Sequence, residues 1–152
     1  MIISAQTLRK LKPVSPFVER GICYGMSYGL SVAGYDIRLR DGIHLLPLGF
    51  SLASSLESFT MPANVLGVVH DKSTWARQGL AVQNTVLEPG WRGFLTLELT
   101  NHSEKALKIL AGSPIAQIVF HFVDEPVESL YQGKYQDQDD RPVPAIFEST
   151  IL

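Results

Sequence analysis

A short polar stretch at residues 68–80, VVHDKSTWARQGL, has the residue types of a phosphate-binding turn. Ser73 and Arg77 are four residues apart, so a helical turn would place them on one face. The free N–H groups that begin such a turn favour an anion, and Lys72 adds positive charge beside them. Simple capping by Ser73 or Thr74 is the commoner use of these residues, and the stretch taken alone favours it.

A carboxylate on a predicted strand is the second place where chemistry is expected. Residues 84–101, NTVLEPGWRGFLTLELTN, begin with a predicted type II turn at 88–91, which has proline second and glycine third. The strand after it alternates, so that three leucines face one side and Glu98 faces the other. An open second face would leave Glu98 in solvent. A covered face would bury it and raise its pKa, which suits acid–base catalysis.

The sequence argues against a zinc-dependent site. Cysteine-based zinc sites draw several of their ligands from cysteine thiolates. This chain has one cysteine, Cys23, which also excludes an internal disulfide framework. Its four histidines share no helical i,i+4 spacing and no HExxH is present, so no metal ligands are expected. The common phosphate-loop and nucleophile-elbow glycine motifs are also absent.

Length and charge limit the classes of protein that remain. The chain has 152 residues, 45% of them hydrophobic, which predicts one domain over residues 1–152. The net charge of −2 lacks the basic excess of a nucleic-acid binder. No apolar run is long enough to span a membrane, and the first residues do not resemble a secretory signal. We therefore expect a cytoplasmic protein that binds neither nucleic acid nor membrane.

The elements that must position these residues are mostly short strands. Only residues 4–11 have the pattern of a helix, with Ser4 available as its cap and Pro13 ending it. Strands are predicted at 34–39, 65–70, 79–84, 94–101, 106–110 and 115–122. Short strands separated by turn residues predict an all-β sandwich, barrel or jelly roll. The polar stretch at 128–152 is predicted to be a tail or lid on this body.

Five segments, in this order, resemble the dCTP deaminases, a family in the same superfamily as the trimeric dUTPases. They are SYGLSVAGYDIRL (27–39), KSTWARQGL (72–80), EPGWRGFLTLELTN (88–101), IAQIVF (115–120) and GKYQDQ (133–138). The resemblance implies a distorted jelly-roll or β-barrel subunit and a homotrimer with active sites where subunits meet. It implies conversion of dCTP and water to dUTP and ammonia, a step in dUMP and dTTP supply. It also implies Mg²⁺ carried by the substrate triphosphate, and dTTP as an inhibitor.

The resemblance also assigns roles to particular residues. Glu98 resembles the catalytic carboxylate, and Arg77 resembles the arginine that positions it and the attacking water. The substrate-binding positions that match are Lys72, Ser73 and Thr74 in the turn, Glu88, Thr96 and Leu97 around the base and sugar, Gln117, and Tyr131, Lys134, Tyr135 and Gln138 in the tail. The chain is compact for this family, and Tyr131 stands closer to Lys134 than the family pattern places it. Residues 83–85 also depart from that pattern, which leaves open a modified cytosine as substrate.

Two other functions remain open at this point. A dUTPase, or a bifunctional deaminase–dUTPase, would release dUMP and pyrophosphate, and the carboxylate that activates water would stand at the position of Glu88. The pair Arg77 and Glu98 favours the deaminase. A regulator that binds nucleotide without turnover is the second alternative, and it would have no need of that pair.

Overall fold

The computed structural model describes residues 1–148, and most of its regular structure is strand. Within these residues there are two helices, α1 (Ala5–Leu11) and α2 (Ser73–Ala76). The strands in chain order are β1 (Val14–Ser15), β2 (Gly21–Cys23), β3 (Met26–Leu30), β4 (Tyr35–Arg38), β5 (Ile43–Leu45), β6 (Phe50–Thr60), β7 (Val65–Asp71), β8 (Leu80–Val82), β9 (Val86–Leu87), β10 (Arg92–Asn101), β11 (Leu107–Ile109) and β12 (Pro114–Phe122). The predicted all-β class is confirmed.

The strands form two larger antiparallel sheets and one small pair. The larger sheets have the strand orders β2-β3-β4-β12-β7-β9 and β1-β6-β10-β8, and β11 pairs with β5. One cluster of buried apolar side chains includes residues of both larger sheets, such as Ile37 and Phe120 of the first and Phe59 and Leu97 of the second. This shared core holds the ends of β7 and β10 in fixed positions relative to each other.

All six strands predicted from the sequence are present, and β6 is the main element that the sequence pattern missed. Its sequence, FSLASSLESFT, contains four serines and a glutamate, which are unusual in a central strand. Here the polar groups are satisfied within the fold. The Ser55 hydroxyl donates to the carbonyl of Glu57 at 2.6 Å and accepts the N–H of Leu95 at 2.8 Å. The fully buried Glu57 accepts from the Arg38 guanidinium at 2.7 Å.

The predicted N-terminal helix is also present, but Ser4 does not cap it in the expected way. Ser4 occupies the N-cap position of α1 with extended backbone, yet its side chain makes no capping hydrogen bond. At the other end Lys12 adopts a left-handed conformation (φ 46°) and ends the helix just before Pro13. No helix in residues 1–148 is long and apolar enough to cross a membrane.

Candidate active site

Strand β10 places Glu98 on the wall of a cavity of about 480 Å³. As the alternation predicts, Leu95, Leu97 and Leu99 are buried, at 5% exposure or less. The opposite face is covered too, because residues of the tail, among them Tyr135 and Val143, line the same cavity as Glu98. Apolar side chains of the cavity wall are Phe50, Leu52, Val86, Leu87 and Leu95. The predicted site residues that line it are Glu88, Thr96, Glu98, Tyr131, Tyr135 and Gln138.

The carboxyl group of Glu98 is half-buried, and one of its two oxygens has no protein partner. Its Oε2 atom is shielded from water and accepts no hydrogen bond from residues 1–148. Leu52 lies directly across from it on β6 and lines the same cavity. Burial raises the pKa of Glu98 above the ordinary glutamate value. The sequence left open whether Glu98 is exposed to solvent or covered. In the structure its carboxyl is covered and partly desolvated.

The protonation of Glu98 should make folding stability depend on pH. Because its pKa is raised above 4.5 in the folded chain, the folded chain keeps this proton at pH values where the unfolded chain has lost it. The free energy of unfolding should therefore fall as pH rises from 4.5 through the raised pKa. Glu98→Gln cannot ionise and should lack this part of the fall. Denaturant unfolding of both proteins over this pH range measures the difference, and a gap independent of pH would contradict the prediction.

The predicted turn at 88–91 places Glu88 at the edge of the cavity. The N–H of Trp91 donates to the carbonyl of Glu88 at 3.0 Å, and Gly90 has a φ of +84°, as a type II turn requires. The indole Nε1 of Trp91 donates to the carbonyl of Tyr135 at 2.7 Å. The turn therefore positions the Glu88 carboxylate at the cavity, and it also binds the tail through Trp91.

The described part of the tail, residues 128–148, lies on the cavity, and the remaining residues 149–152 of the predicted lid fall outside the description. The Thr96 hydroxyl donates to Gln138 Oε1 at 2.8 Å and accepts the N–H of Val143 at 3.0 Å. The N–H of Tyr131 donates to the carbonyl of Pro89 at 2.9 Å. Lys134 is exposed and does not line the cavity; its Nζ lies 5.5 Å from the centroid of the Tyr135 ring.

A second group of predicted site residues lies elsewhere, at the end of β7. Ser73, Thr74 and Arg77 are exposed on and after α2, and none of them lines the Glu98 cavity. The N-cap of α2 is Lys72, so the expected capping by Ser73 or Thr74 is wrong. The Lys72 ammonium is not exposed in the turn either, because it donates to Asp36 at 2.8 Å in a buried ion pair.

Two further predicted residues are placed by the sheets. Leu97 is fully buried with its side chain in the core, so only its backbone can face the cavity. Gln117 on β12 lies across from Asp36 and also from His70 at the end of β7, and its side-chain amide is 3.4 Å from the Ser31 hydroxyl. It therefore belongs to the group at the end of β7.

The residues that depart from the family pattern, 83–85, divide between the cavity and the neighbouring strand. Thr85 lines the cavity. The N–H of Gln83 donates to the carbonyl of Glu98 at 2.9 Å, and its side-chain amide donates to the Thr100 hydroxyl at 3.1 Å. This segment therefore contacts the strand of the candidate catalytic carboxyl from its β8 side.

Comparison with known proteins decides the family. Residues 31–123, more than half of the chain, match the family described as dCTP deaminase-like. The chain belongs to this family. Its curated relatives include the dCTP deaminases of Campylobacter concisus, 35% identical over 90% of this chain and 91% of the relative, and of Campylobacter fetus, 36% identical over 89% and 90%. The first alignment spans 170 residues, so this dCTP deaminase-like chain lacks segments that the relative contains.

Solved structures confirm the fold of this dCTP deaminase-like chain. The dUTPase of Staphylococcus bacteriophage 80alpha has a TM-score of 0.59 at 16% identity and covers 78% of this chain and 92% of its own. The EIAV dUTPase has a TM-score of 0.56 at 21% identity, over 66% and 84%. At these identities the likeness shows a dUTPase-like fold and nothing more.

Leu52 and Asp36 are among the residues around the site that were not found from the sequence. Leu52, opposite Glu98, lies on the strand that was not predicted, so nothing indicated it. Asp36 lies in the predicted strand at 34–39, as a charged residue among apolar neighbours. Because a buried charge needs a partner, this pattern could have predicted an ion pair for Asp36.

Proposed function

We propose that this protein is a dCTP deaminase that converts dCTP and water to dUTP and ammonia. The observation that carries the proposal is the half-buried carboxyl of Glu98, whose Oε2 accepts no hydrogen bond from residues 1–148 and which lies in a cavity large enough for a nucleotide. Its relatives named dCTP deaminase, similar over most of their length, support the same substrate. The product dUTP would serve as a precursor of dUMP.

The chemistry needs a group that can both accept and donate protons. Water adds to C4 of cytosine as the carboxylate of Glu98 takes a proton from it, and N3 of the ring receives a proton. The C4–N4 bond then breaks as the C4 hydroxyl becomes the carbonyl of uracil, and the proton of that hydroxyl passes through Glu98 to the amine, which leaves as ammonia. A carboxyl whose pKa is raised by burial can make these transfers near neutral pH. Arg77 would hold the water and the carboxylate in line.

The reaction is proposed to proceed without zinc. The single cysteine of the chain cannot supply the ligand set of the zinc deaminases. Within residues 1–148 no three His, Cys, Asp or Glu side chains are grouped as metal ligands. We propose that Mg²⁺ enters with the triphosphate as part of the substrate, since phosphate oxygens and water are the ligands that Mg²⁺ prefers.

The complete site is proposed to form between subunits of a homotrimer. In one subunit Glu98 lines its cavity while Arg77 is exposed beside a different group of residues. A neighbouring copy that presents its Ser73–Ala76 helix and Arg77 to the cavity would complete the site, as the family resemblance implies. Size-exclusion chromatography with light scattering tests the trimer, and a monomer at assay concentration would contradict it.

The tail is proposed to act as a lid that excludes water from the bound nucleotide. Removing residues 131–152 takes away Tyr131, Tyr135 and Gln138, which line the cavity. We expect this truncation to lower kcat/KM roughly tenfold or more, because closure positions the substrate and dries the site. Steady-state assays measure the loss, and thermal unfolding checks that the β-body stays folded. A folded truncated chain with full activity would show that the tail is not a lid.

Product analysis tests the proposed reaction directly. Purified protein is incubated separately with dCTP and with dUTP, with Mg²⁺ and without zinc, and the products are separated by ion-pair chromatography. We expect dUTP from dCTP, and no change in dUTP. Release of dUMP and pyrophosphate would instead indicate hydrolase chemistry and direct attention to Glu88. Absence of turnover with every pyrimidine deoxynucleotide, together with binding, would favour the regulator.

A further inference from the structure

The lysine that opens the exposed turn is already engaged by a carboxylate of another strand. Lys72 Nζ donates to Asp36 Oδ2 at 2.8 Å, and the two side chains are 10% and 11% exposed. Asp36 lies on β4, between its partners Gly29 of β3 and Gln117 of β12. The ion pair therefore links the end of β7 to the interior of the six-stranded sheet.

The backbone of Lys72 begins the helix that carries the predicted phosphate-binding residues. Its carbonyl accepts the N–H groups of Trp75 and Ala76, both at 3.0 Å. The direction in which α2 leaves the sheet therefore depends on where Lys72 is held. Ser73 and Arg77, which point into solvent in this subunit, depend in turn on that direction.

Two more contacts hold the same turn to the body. Asp71 Oδ1 accepts the N–H of Val82 on β8 at 2.7 Å. The indole Nε1 of Trp75 donates to the carbonyl of Pro114 on β12 at 2.8 Å. Of these anchoring contacts, the Lys72–Asp36 contact is the one between two buried charges, and loss of either partner would leave the other charge unpaired.

We propose that Asp36 is a positioning residue, acting through Lys72 to hold Ser73 and Arg77 where a neighbouring subunit's cavity can use them. The inference rests on the proposed deaminase function and changes the role expected for Lys72. Its ammonium would have to leave a buried carboxylate to reach a phosphate, at the cost of an uncompensated charge. The geometry instead makes Lys72 part of the support of the turn.

The two roles of Lys72 predict different outcomes in a double-mutant cycle. The variants are Asp36→Asn, Lys72→Met and the double variant, compared by kcat/KM for dCTP. If the pair positions the turn, each single change should lower kcat/KM about tenfold or more, and the double variant should be no worse than the poorer single variant. If Lys72 contacts phosphate directly, Asp36→Asn should stay near wild type while Lys72→Met loses activity. That outcome, or losses that multiply in the double variant, would overturn the proposal.

A second readout measures the turn without catalysis. In the assembled protein trypsin can cut after Arg77 only when the turn opens away from the neighbouring subunit, and mass spectrometry identifies cleavage of the bond between residues 77 and 78. Loosening of the turn should speed this cleavage several-fold in all three variants, because cleavage follows local opening. Glu19→Gln is the matched control, since it breaks an exposed ion pair with Arg9 and leaves the Lys72–Asp36 pair in place. Unchanged cleavage at this bond in every variant would overturn the proposal.

The outcomes separate this inference from the function on which it rests. A wild-type protein without deaminase activity would refute the proposed function, whereas an active wild type with a fully active Asp36→Asn would refute the inference alone. Should the single variants not fold, the double variant, which leaves no unpaired charge, gives the answer. The proposal expects it to fold with faster cleavage after Arg77 and lowered kcat/KM, and wild-type values of both would overturn it.

Discussion

Replacement of Glu98 by glutamine is expected to lower kcat for dCTP by roughly a thousandfold, with dCTP binding largely retained. The amide has nearly the same shape as the carboxyl and fits the same cavity wall, but it cannot take a proton from water or return one to the ring. Because Glu98 accepts no hydrogen bond from residues 1–148 at its buried Oε2, the substitution breaks no internal contact there. Single-turnover assays give the chemical rate, and calorimetry gives the Kd for dCTP.

Glu88→Gln is the matched control, because it neutralises the other carboxylate that lines the same cavity. Glu88 is exposed at the turn, and as a sugar contact it should affect KM more than kcat. A larger loss of kcat in Glu88→Gln than in Glu98→Gln would contradict the assignment of Glu98 as the proton shuttle. Loss of dCTP binding in Glu98→Gln would likewise show that its part is in binding, not proton transfer.

The local features of β10 could be predicted from sequence because they depend on neighbouring residues alone. The period of two in LTLELT predicted three leucines on one side and Glu98 on the other. It holds for Leu97 and Leu99, whereas Leu95 lies at an irregularity between Phe94 and Thr96 and lines the same cavity as Glu98. Proline and glycine in EPGW fixed the turn, since their backbone preferences hold in any context. The sequence could not show whether the second face is covered, because that depends on a tail distant in the chain, whose Gln138 contacts Thr96 across 42 residues.

Strand β6 was not predicted for the same reason, because its stability depends on residues that are distant in the chain. Its serines and Glu57 are disfavoured in a strand by propensity, and they become acceptable only when distant partners satisfy them. Arg38, 19 residues away, pairs with Glu57, and the N–H of Leu95, 40 residues away, pairs with Ser55. Neither contact is visible in a local pattern, so the longest strand of the fold was not predicted.

At the turn that leads into the Ser73–Ala76 helix, the residue types were interpreted correctly, but the contact made by Lys72 was not predicted. The basic and hydroxyl side chains of the turn are present as predicted, and two of them, Ser73 and Thr74, are exposed. Lys72 is the exception, because its charge is bound to Asp36 in the sheet. Spacing along the chain gives the composition of a turn, whereas the direction of each side chain depends on which neighbouring strand holds a complementary charge.

Two inactive variants are expected to regain activity when their subunits are mixed, which follows from the separation of Glu98 and Arg77 in one subunit. Glu98→Gln and Arg77→Ala should each be nearly inactive as pure proteins. In a ring where each site takes Glu98 from one subunit and Arg77 from the next, random mixing in equal amounts restores the intact pair in about a quarter of the sites. Coexpression followed by assay of kcat per subunit measures the recovered fraction.

The recovery does not depend on how the two substitutions affect each subunit's own cavity. Every restored site combines an Arg77→Ala subunit, which supplies Glu98, with a Glu98→Gln subunit, which supplies Arg77. If both residues act from the same subunit, each cavity in the mixture carries one defect and activity stays near zero. Coexpression of Glu98→Gln with Glu88→Gln is the control, because both residues line one cavity and so belong to the same subunit's part of the site. The kcat of that mixture should be the mean of the values for the two pure variants. A gain above the mean that is confined to the Arg77 mixture would place the guanidinium in the partner's half of the site.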